Sequence, residues 1–387
     1  PVTRKEKVAV IGAGPSGLTA ARDLVVRGYG VTVFESYPEA GGMLRWGIPE
    51  YRLPRDILRR EIDDILNLGV ELKANTKVGK DVAYEDLVKT YDAVYLAIGA
   101  QKSAGMAVEG GNLKGVVGAV EFLRDVNLGK TPHVGERVAV VGGGNSAIDA
   151  SRSALRLGAK EVTILYRRTR EDMPAQEEEI KAAEEEGVKI QYLVNPVRFQ
   201  GSDGRIEQVI CRRMVLGEFD NSGRKKPVPK LGEDKAVDAD MVILAIGQET
   251  VFPFDAKGET VPVNKSGLIE LIKGKKTATK APMVFAGGDV VTGPDTVVGA
   301  IAAGHHAANE IDQAIRLKNG EAFSLPPEEE IEIPMIIEEE VHEAERACTL
   351  EAGCAERIKD FREVELGLSK EDAFKESCRC LRCDAKA

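Results

Sequence analysis

Cysteine is nearly absent from most of this chain: of 387 residues and six cysteines, only Cys211 precedes Cys348. A secreted disulfide framework, which spreads its cysteines through a short chain, is excluded. Positive charge is also short. The net charge of -10 leaves no excess of cations to displace counterions from phosphates, which argues against nucleic acid as a partner. No apolar run reaches the roughly 18 residues of a spanning helix, so no membrane association is expected. No signal peptide precedes the first strand, which begins by Lys7, and the expected location is cytoplasmic. The first residue is Pro1 rather than methionine, as processing or a cut from a longer chain would leave it. What remains is an ordinary globular mixture, 43% hydrophobic and 30% charged, long enough for two or three domains.

The organising feature is a repeat. "KVAVIGAGPSGLTAARDLVVRG" and "GVTVFES" give a buried strand, a glycine turn, an amphipathic helix and a second strand. "GERVAVVGGGNSAIDASRSALRLGAKEVTILYRR" repeats the pattern from Gly135 to Arg168, and "ADMVILAIGQ" mirrors "YDAVYLAIGA". "PRDILRREIDDILNLG" reads as a helix opened by proline and closed by Gly69, and "EEEIKAAEEEG" as a helix with a solvated acidic face. From Val197 to Gly232 short strands alternate with hairpin turns at "GSDGR" and "DNSGRKKP". "APMVFAGGDV" and "TVVGAIAAGHHAANEIDQAIR" supply a last strand and a long helix, which complete the first unit around the second. The junctions fall near residues 105–130 and 250–265. The predicted class is α/β: two Rossmann-like nucleotide-binding domains, the second inserted in the first, plus a small cysteine-rich helical C-terminal segment. The first domain covers 1–115 and 260–325, the second 116–259, and an acidic linker with the cysteine-rich segment 326–387.

In the first turn Gly12 permits the tight bend, Gly14 lets backbone approach a pyrophosphate, and Gly17 allows close helix–strand packing. Pro15 and Ser16 open the helix, whose free N–H groups favour phosphate. Glu35, followed by Ser36, ends the next strand 23 residues after Gly12, where a carboxylate accepts bonds from ribose hydroxyls and repels a 2′-phosphate. A long glycine-rich loop from Ala40 to Pro54 follows, which a nicotinamide site does not need and a flavin does. Gly41 and Gly42 let the backbone pass close, and Met43, Leu44 and Trp46 offer apolar cover. Gly99 ends the "YLAIGA" strand. Downstream, Gly288 and Asp289 in "GGDV" are placed to bind ribityl hydroxyls or a phosphate-linked water. Thr296 and Val297 open a helix whose N-terminus favours an anionic reduced ring.

In the second turn Gly142, Gly144, Asn145, Ser146 and Ala147 give G-x-G-x-x-A, and Gly247 ends the mirrored strand. Arg167 and Arg168 stand 25 and 26 residues after Gly142, where an acidic residue would select NAD. Two arginines there suit the 2′-phosphate of NADP by charge-assisted bonds, with solvated surface arginines as the alternative. Hydride transfer between nicotinamide and flavin rests on orientation, so no general base is required and no catalytic residue is assigned.

The motifs "GAGPSGLTAA", "ESYPEAGGMLRWGIPEYRLP", "VVGGGNSAIDASR", "YRRTREDMPA" and "FAGGDVVTGPDTVVGAIAAGHHAA", in this order, resemble the FAD- and NADPH-binding oxidoreductase family represented by the glutamate synthase small subunit. Dihydropyrimidine dehydrogenase and the large subunit of the ferredoxin–NADP transhydrogenase share it. The resemblance covers roughly residues 5 to 320. It implies FAD at Gly12, Gly14, Gly17, Glu35, Gly42, Arg52, Asp289 and Thr296, and NADP(H) at Gly144, Asn145, Ser146, Arg167 and Arg168. It also implies exchange of single electrons with iron–sulfur clusters of the same or partner subunits, in a hetero-oligomeric complex such as glutamate synthase or an electron-bifurcating assembly. Two other functions stay open: a flavoprotein reducing a small organic substrate directly, and a non-catalytic FAD-bearing scaffold. The stretch Phe361 to Asp384 resembles the start of the family's iron–sulfur segment, displaced from its usual place before the first turn.

The tail holds Cys348, Cys354, Cys378, Cys380 and Cys383. Thiolates are soft ligands for iron–sulfur clusters or zinc. A cluster of the 4Fe-4S type held by four of them is the first expectation; structural zinc and unliganded thiols are the alternatives. The fifth thiol is spare, and Cys378 is the expected one. A dithiol pair of the thioredoxin-reductase kind would place C-x-x-C inside the second nucleotide domain, and none is there.

Overall fold

The computed structural model describes residues 2–219, 223–254, 261–322 and 345–379. The chain begins with β1 (Lys7–Ile11), α1 (Pro15–Val26) and β2 (Gly30–Phe34), then α2 (Met43–Trp46), α3 (Arg55–Leu66), β3 (Glu71–Lys73), α4 (Tyr84–Thr90) and β4 (Ala93–Leu96). It leaves this unit through a short strand, β5 (Lys102–Ser103). A second unit follows: β6 (Val116–Gly118), α5 (Ala119–Asn127), β7 (Arg137–Val141), α6 (Asn145–Arg156), β8 (Glu161–Tyr166), α7 (Glu177–Glu185) and β9 (Lys189–Tyr192). Three antiparallel strands come next, β10 (Val194–Ser202), β11 (Arg205–Phe219) and β12 (Lys225–Asp238), and then β13 (Met241–Leu244). The chain returns through β14 (Gln248–Glu249), antiparallel to β5, and finishes the first unit with β15 (Val284–Ala286), α8 (Asp289–Thr292) and α9 (Val297–Lys318).

The two sheets have the same plan. Their strand orders are β15-β4-β1-β2-β3 and β6-β13-β7-β8-β9, with every neighbour parallel. Helices cover one face of each sheet; the other face packs on α4, α8 and the chain around them in the first unit and on β10 and β11 in the second, so Val8–Ile11 and Val138–Val141 are buried throughout rather than alternating. Each such aliphatic side chain contributes roughly 1.5–3 kcal/mol on burial. Strand order reverses at β1 and at β7, and each reversal opens a crevice at the carboxyl ends of the strands. Helix α9 crosses α1 closely because its inner face is small: a Cβ on Gly304 would stand 2.5 Å from the Ser16 carbonyl oxygen. Ala307, Ala308, Ile311 and Ile315 fill the rest of that face.

Three expectations change. The strands after Val197 are long, with 15 residues in β11 and 14 in β12. Beyond β10 they form a ribbon solvated on both faces, so β12 shows no apolar alternation and its charges mask it as loop. The acidic face of α7 is not wholly solvated: Glu179, and Glu186 just beyond the helix, are buried against arginines. The described tail is not purely helical. A two-stranded pair, β16 (Leu350–Glu351) with β17 (Glu365–Gly367), holds α10 (Cys354–Arg357) between its strands, and α11 (Lys370–Cys378) follows. Among the described residues no helix is long and apolar enough to cross a membrane.

Candidate functional site: two glycine turns and the crevices above them

Gly12 leaves β1 with φ 104°, a left-handed conformation, and a Cβ there would sit 2.4 Å from the Ala97 carbonyl oxygen at the end of β4. The turn therefore lies between the two strands at which the sheet order reverses. Gly14 caps α1 without any side-chain bond, so the first N–H groups of a 12-residue helix stay open to an anion, and Pro15 has no N–H to lose. A Cβ on Gly17 would strike the Gly12 carbonyl oxygen at 2.0 Å. Gly42, at φ 54°, presses its backbone on Gly14: an added Cβ would meet the Gly14 Cα at 2.6 Å. Gly41 donates its N–H to the Ala13 carbonyl at 2.8 Å, so the long loop is stitched to the turn.

Two cavities flank this turn. The outer one is lined by Gly12, Glu35, Ser36, Tyr37, Thr76, Gln101, Glu121 and Arg124, among others. Glu35 is 2% exposed. Its carboxylate accepts from the Ala13 and Tyr37 N–H groups at 2.9 Å each and from the Ser36 hydroxyl at 3.2 Å. Burial raises its pKa above the ordinary carboxylate value, and these bonds offset only part of the shift. The inner cavity is lined by Gly14, Pro15, Ser16, Gly42, Met43, Leu44, Ile48, Gly99, Gly288, Asp289, Thr296 and Val297 with their neighbours. Burial, partly countered by the Asp295 N–H, pushes the Asp289 carboxyl up to about 6. Thr296 caps the 22-residue α9, its hydroxyl oxygen accepting from the Gly299 N–H at 3.1 Å.

Most first-site residues singled out in the sequence thus converge, and two, Trp46 and Arg52, stand apart. Ser16 contributes to the wall, but its hydroxyl is bonded to Tyr95 at 2.6 Å. Trp46 is buried against Tyr37 and under Arg45, not in either lining. Arg52 also lines neither cavity. Its guanidinium is held by Asp149 at 2.9 Å and Glu179 at 3.0 Å, both on the second unit. Tyr37, Gln101 and Arg124 were not singled out; the pattern around them carries no glycine turn.

The second turn repeats the first. Gly142, at φ 140°, would place a Cβ 2.3 Å from the Ala245 carbonyl oxygen beyond β13, and Gly144 caps α6 without a side-chain bond. Gly143 lies flat on the Tyr166 ring, which a Cβ would meet at 2.5 Å. Ala147 is buried, and Asn145 accepts the Gln176 N–H at 3.1 Å, tying α7 to the turn. Gly247, at φ 142°, accepts the Ala104 N–H at 3.0 Å where β5 and β14 bridge the units. One cavity is lined by Gly142, Gly143, Gly144, Tyr166, Arg167, Arg168, Pro174, Asn195 and Arg224. Arg167 is exposed on its rim, while Arg168 is buried, its Nε donating to the Lys225 carbonyl at 2.9 Å. Arg224, from the loop before β12, was missed because no spacing rule links a distant hairpin to a strand end. Asn145 and Ser146 lie just past the lining, at the helix start.

These residues fit two dinucleotides. At the first turn, paired glycine backbones make a cradle that any side chain would fill, with a carboxylate at the ribose position. At the second, cations take the carboxylate's place. The tail gives no comparable fit. Among the described residues no group of three or more metal-ligating side chains gathers. Cys348 and Cys378 are exposed, and the Cys354 thiol donates to the Glu185 carbonyl at 3.1 Å. Cys380 and Cys383 lie outside the described residues. Cys211 is buried in the second unit, and burial pushes its thiol up to about 12.

Comparison with known proteins agrees with this geometry. The family described as "Pyridine nucleotide-disulphide oxidoreductase" matches residues 6–304. The "NADP(+)-dependent formate dehydrogenase subunit beta" of Moorella thermoacetica is 46% identical over 401 residues, covering 99% of this chain and 55% of that protein. The "Glutamate synthase [NADPH] small chain" of Escherichia coli K12 is 39% identical over 320 residues, covering 79% of this chain and 68% of that one. The chain therefore spans little more than half of the Moorella relative. Among solved structures, Mycobacterium tuberculosis FprA in complex with NADPH shares the fold with a TM-score of 0.70 at 20% identity, covering 84% of this chain and 88% of that one.

Proposed function

The chain belongs to the pyridine nucleotide-disulphide oxidoreductase family; from that premise we propose that it is an FAD-dependent NAD(P)H oxidoreductase, an NADPH-preferring diaphorase module that passes electrons onward to iron–sulfur acceptors. One observation carries the cofactor assignment. Two glycine turns occupy equivalent switch points in two equivalent sheets, yet the strand after the first ends at Glu35 and the strand after the second at Arg167 and Arg168. The carboxylate accepts from a ribose diol and the arginines neutralise a 2′-phosphate.

When bound, FAD supplies the hydride chemistry. The protein orients, excludes water and tunes charge. Gly14, Gly42 and the start of α1 would hold the pyrophosphate of FAD. Asp289 and the start of α9 line the inner cavity and would face the flavin ring there, where the helix dipole would stabilise negative charge on the reduced ring. Residues 1–115 and 260–325 form the FAD domain in this reading, 116–259 the NADP(H) domain, and 326–387 the linker and electron-exit segment. Onward transfer to iron–sulfur centres, and assembly with partner subunits that carry them, rest on the five tail thiols and on the subunit names of the relatives.

Each charge-assisted bond to the 2′-phosphate contributes roughly 1.5–3 kcal/mol before screening. Arg167 makes the cleaner test because Arg168 also anchors β12. The experiment is anaerobic reduction of the bound flavin by NADPH and by NADH, followed by visible absorbance. Wild type is expected to favour NADPH in its second-order rate constant. Arg167→Ala is expected to lower that preference by about tenfold or more, chiefly at the expense of NADPH. A preference unchanged by Arg167→Ala and by the Arg167→Ala plus Arg168→Ala double variant would remove the 2′-phosphate assignment.

A further inference from the structure

Seven charged side chains are gathered where the two nucleotide-binding units meet, outside both cofactor cavities. Arg52, on the loop of the first unit, places Nη1 at 2.9 and 3.0 Å from the two carboxylate oxygens of Asp149, and its Nε lies 3.0 Å from Glu179. Arg152 pairs with Glu179 at 2.6 Å and Glu186 at 2.7 Å, and Arg156 with Glu186 at 2.6 Å. Arg357 of the tail reaches Glu186 at 3.0 Å. Tyr51, wholly buried, carries the Arg152 and Arg156 guanidiniums over its ring, 4.8 and 4.1 Å from the centroid. The tail closes this cluster from outside: the Val364 N–H donates to the Tyr51 carbonyl at 3.0 Å, and the Asp360 carbonyl accepts from Arg156 Nε at 3.1 Å.

Two units of one chain joined by a pair of short strands move relative to one another by default. Hydride transfer tolerates little such motion, since reacting atoms must come within about 3–3.5 Å. The ends of the Arg52–Asp149 pair sit close behind the two cofactor sites. Ile48, four residues before Arg52, lines the inner flavin-side cavity, and Gly144, five residues before Asp149, lines the second crevice. Asp149 is the fifth residue of α6, one turn behind the phosphate-binding start. Displacement of either end is passed to a cofactor-contacting backbone.

We propose that Arg52 and Asp149 are positioning residues: their buried ion pair, supported by Glu179 and clamped by the tail through Tyr51, fixes the second nucleotide turn against the flavin loop at the distance hydride transfer needs. Arg52 on this account contacts neither cofactor. Its planar fork holds two Asp149 oxygens and one of Glu179 at once, which the point charge of a lysine does not reproduce.

The inference rests on the FAD–NADPH reading, and the test separates the two. FAD content and single-turnover reduction of the flavin by NADPH are measured anaerobically over a range of NADPH concentrations in wild type, Asp149→Asn, Arg52→Ala and Arg52→Lys. Wild-type flavin that neither NADPH nor NADH bleaches would overturn the cofactor reading and the inference with it. Given bleaching in wild type, the expected result for Asp149→Asn and Arg52→Ala is full FAD content, a half-saturating NADPH concentration within about threefold of wild type, and a limiting rate down by between tenfold and a hundredfold, the scale of an ångström of misplacement. Arg52→Lys is expected to recover part of that rate. A purely structural cluster would leave the limiting rate of the folded fraction unchanged, and that result overturns the proposal. So does loss of FAD from Arg52→Ala together with retention in Asp149→Asn, which would make Arg52 a flavin ligand.

Discussion

Glu35 shows how one residue serves both folding and binding. It is buried, and burial raises its pKa in the cofactor-free chain. A carboxyl raised in the folded state contributes stability that is fully present below its unfolded pKa and is lost as pH rises through the folded one. The ribose hydroxyls reverse the balance, because they donate to the ionised form. FAD affinity is therefore expected to rise with pH through the titration of Glu35 and then level off. Glu35→Gln is expected to abolish that dependence and weaken FAD by about tenfold to a hundredfold, as loss of a charged acceptor worth roughly 1.5–3 kcal/mol implies. Calorimetric titration of the apoprotein with FAD at several pH values checks this; an unchanged slope in Glu35→Gln would assign the dependence elsewhere. Glu35, Arg167 and Arg168 were legible in the sequence because a strand end fixes where its last side chain lies relative to the turn beside it. Arg224 was not, since a hairpin tip returns to the crevice from far along the chain. Arg52 was assigned to flavin through the family resemblance alone, and the fold shows its guanidinium turned to Asp149.

Among the elements, α6 and α7 share a buried apolar cluster, and one carboxylate ties both to the tail. Glu186 has a fully buried side chain that takes bonds from Arg152 and Arg156, with Arg357 beside it. Burial alone would raise its pKa, but hydrogen bonds from Arg156 and Arg152 hold it below the ordinary value. A depressed carboxyl contributes stability that is present above its unfolded pKa and lost as pH falls through the folded one, so this junction is expected to be the acid-labile one. Glu186→Gln leaves buried guanidiniums without their counter-charge and is expected to cost on the order of 3–5 kcal/mol. Urea unfolding at neutral pH measures the cost, and a loss below about 1 kcal/mol would show the arginines finding water instead. Helical periodicity announced α7 itself, but its buried side looked acidic and hence solvated. Local pattern cannot show that Arg152 and Arg156 wait on the facing helix. Strand β12 escaped for the opposite reason: a strand exposed along nearly its whole length needs no apolar alternation, only a partner for its backbone groups.

At the scale of the whole molecule the repeat was plain, because two parallel sheets buried on both faces must be written as continuous apolar strands bounded by glycine. The tail was less so. Its thiols suggested a metal site, yet the three described cysteines do not gather. Their placements differ in kind. Cys354 is committed to the second unit through the Glu185 carbonyl. Cys348 follows Ala347, whose N–H is held by Glu376 at 2.7 Å, two residues before Cys378 on α11, so Cys348 and Cys378 stand on segments already tied together. On the iron–sulfur reading proposed above, these contacts favour Cys354 over Cys378 as the thiol to spare, an assignment that the following variants test. Anaerobically purified protein is expected to carry about four irons and about four acid-labile sulfides, as a four-thiolate cluster requires. Cys354→Ser is expected to keep them and to lose only the bond to Glu185, with a small drop in melting temperature. Cys348→Ser and Cys378→Ser are each expected to lose the iron while retaining FAD, because the nucleotide domains fold around separate cores. Zinc in equal amount to protein, with no iron after reconstitution, would replace the cluster by a structural site. Iron lost from Cys354→Ser but kept in Cys378→Ser would restore Cys378 as the spare thiol. It would also mean that loading the tail breaks the Cys354–Glu185 contact, and with it part of the clamp on the interdomain ion pairs.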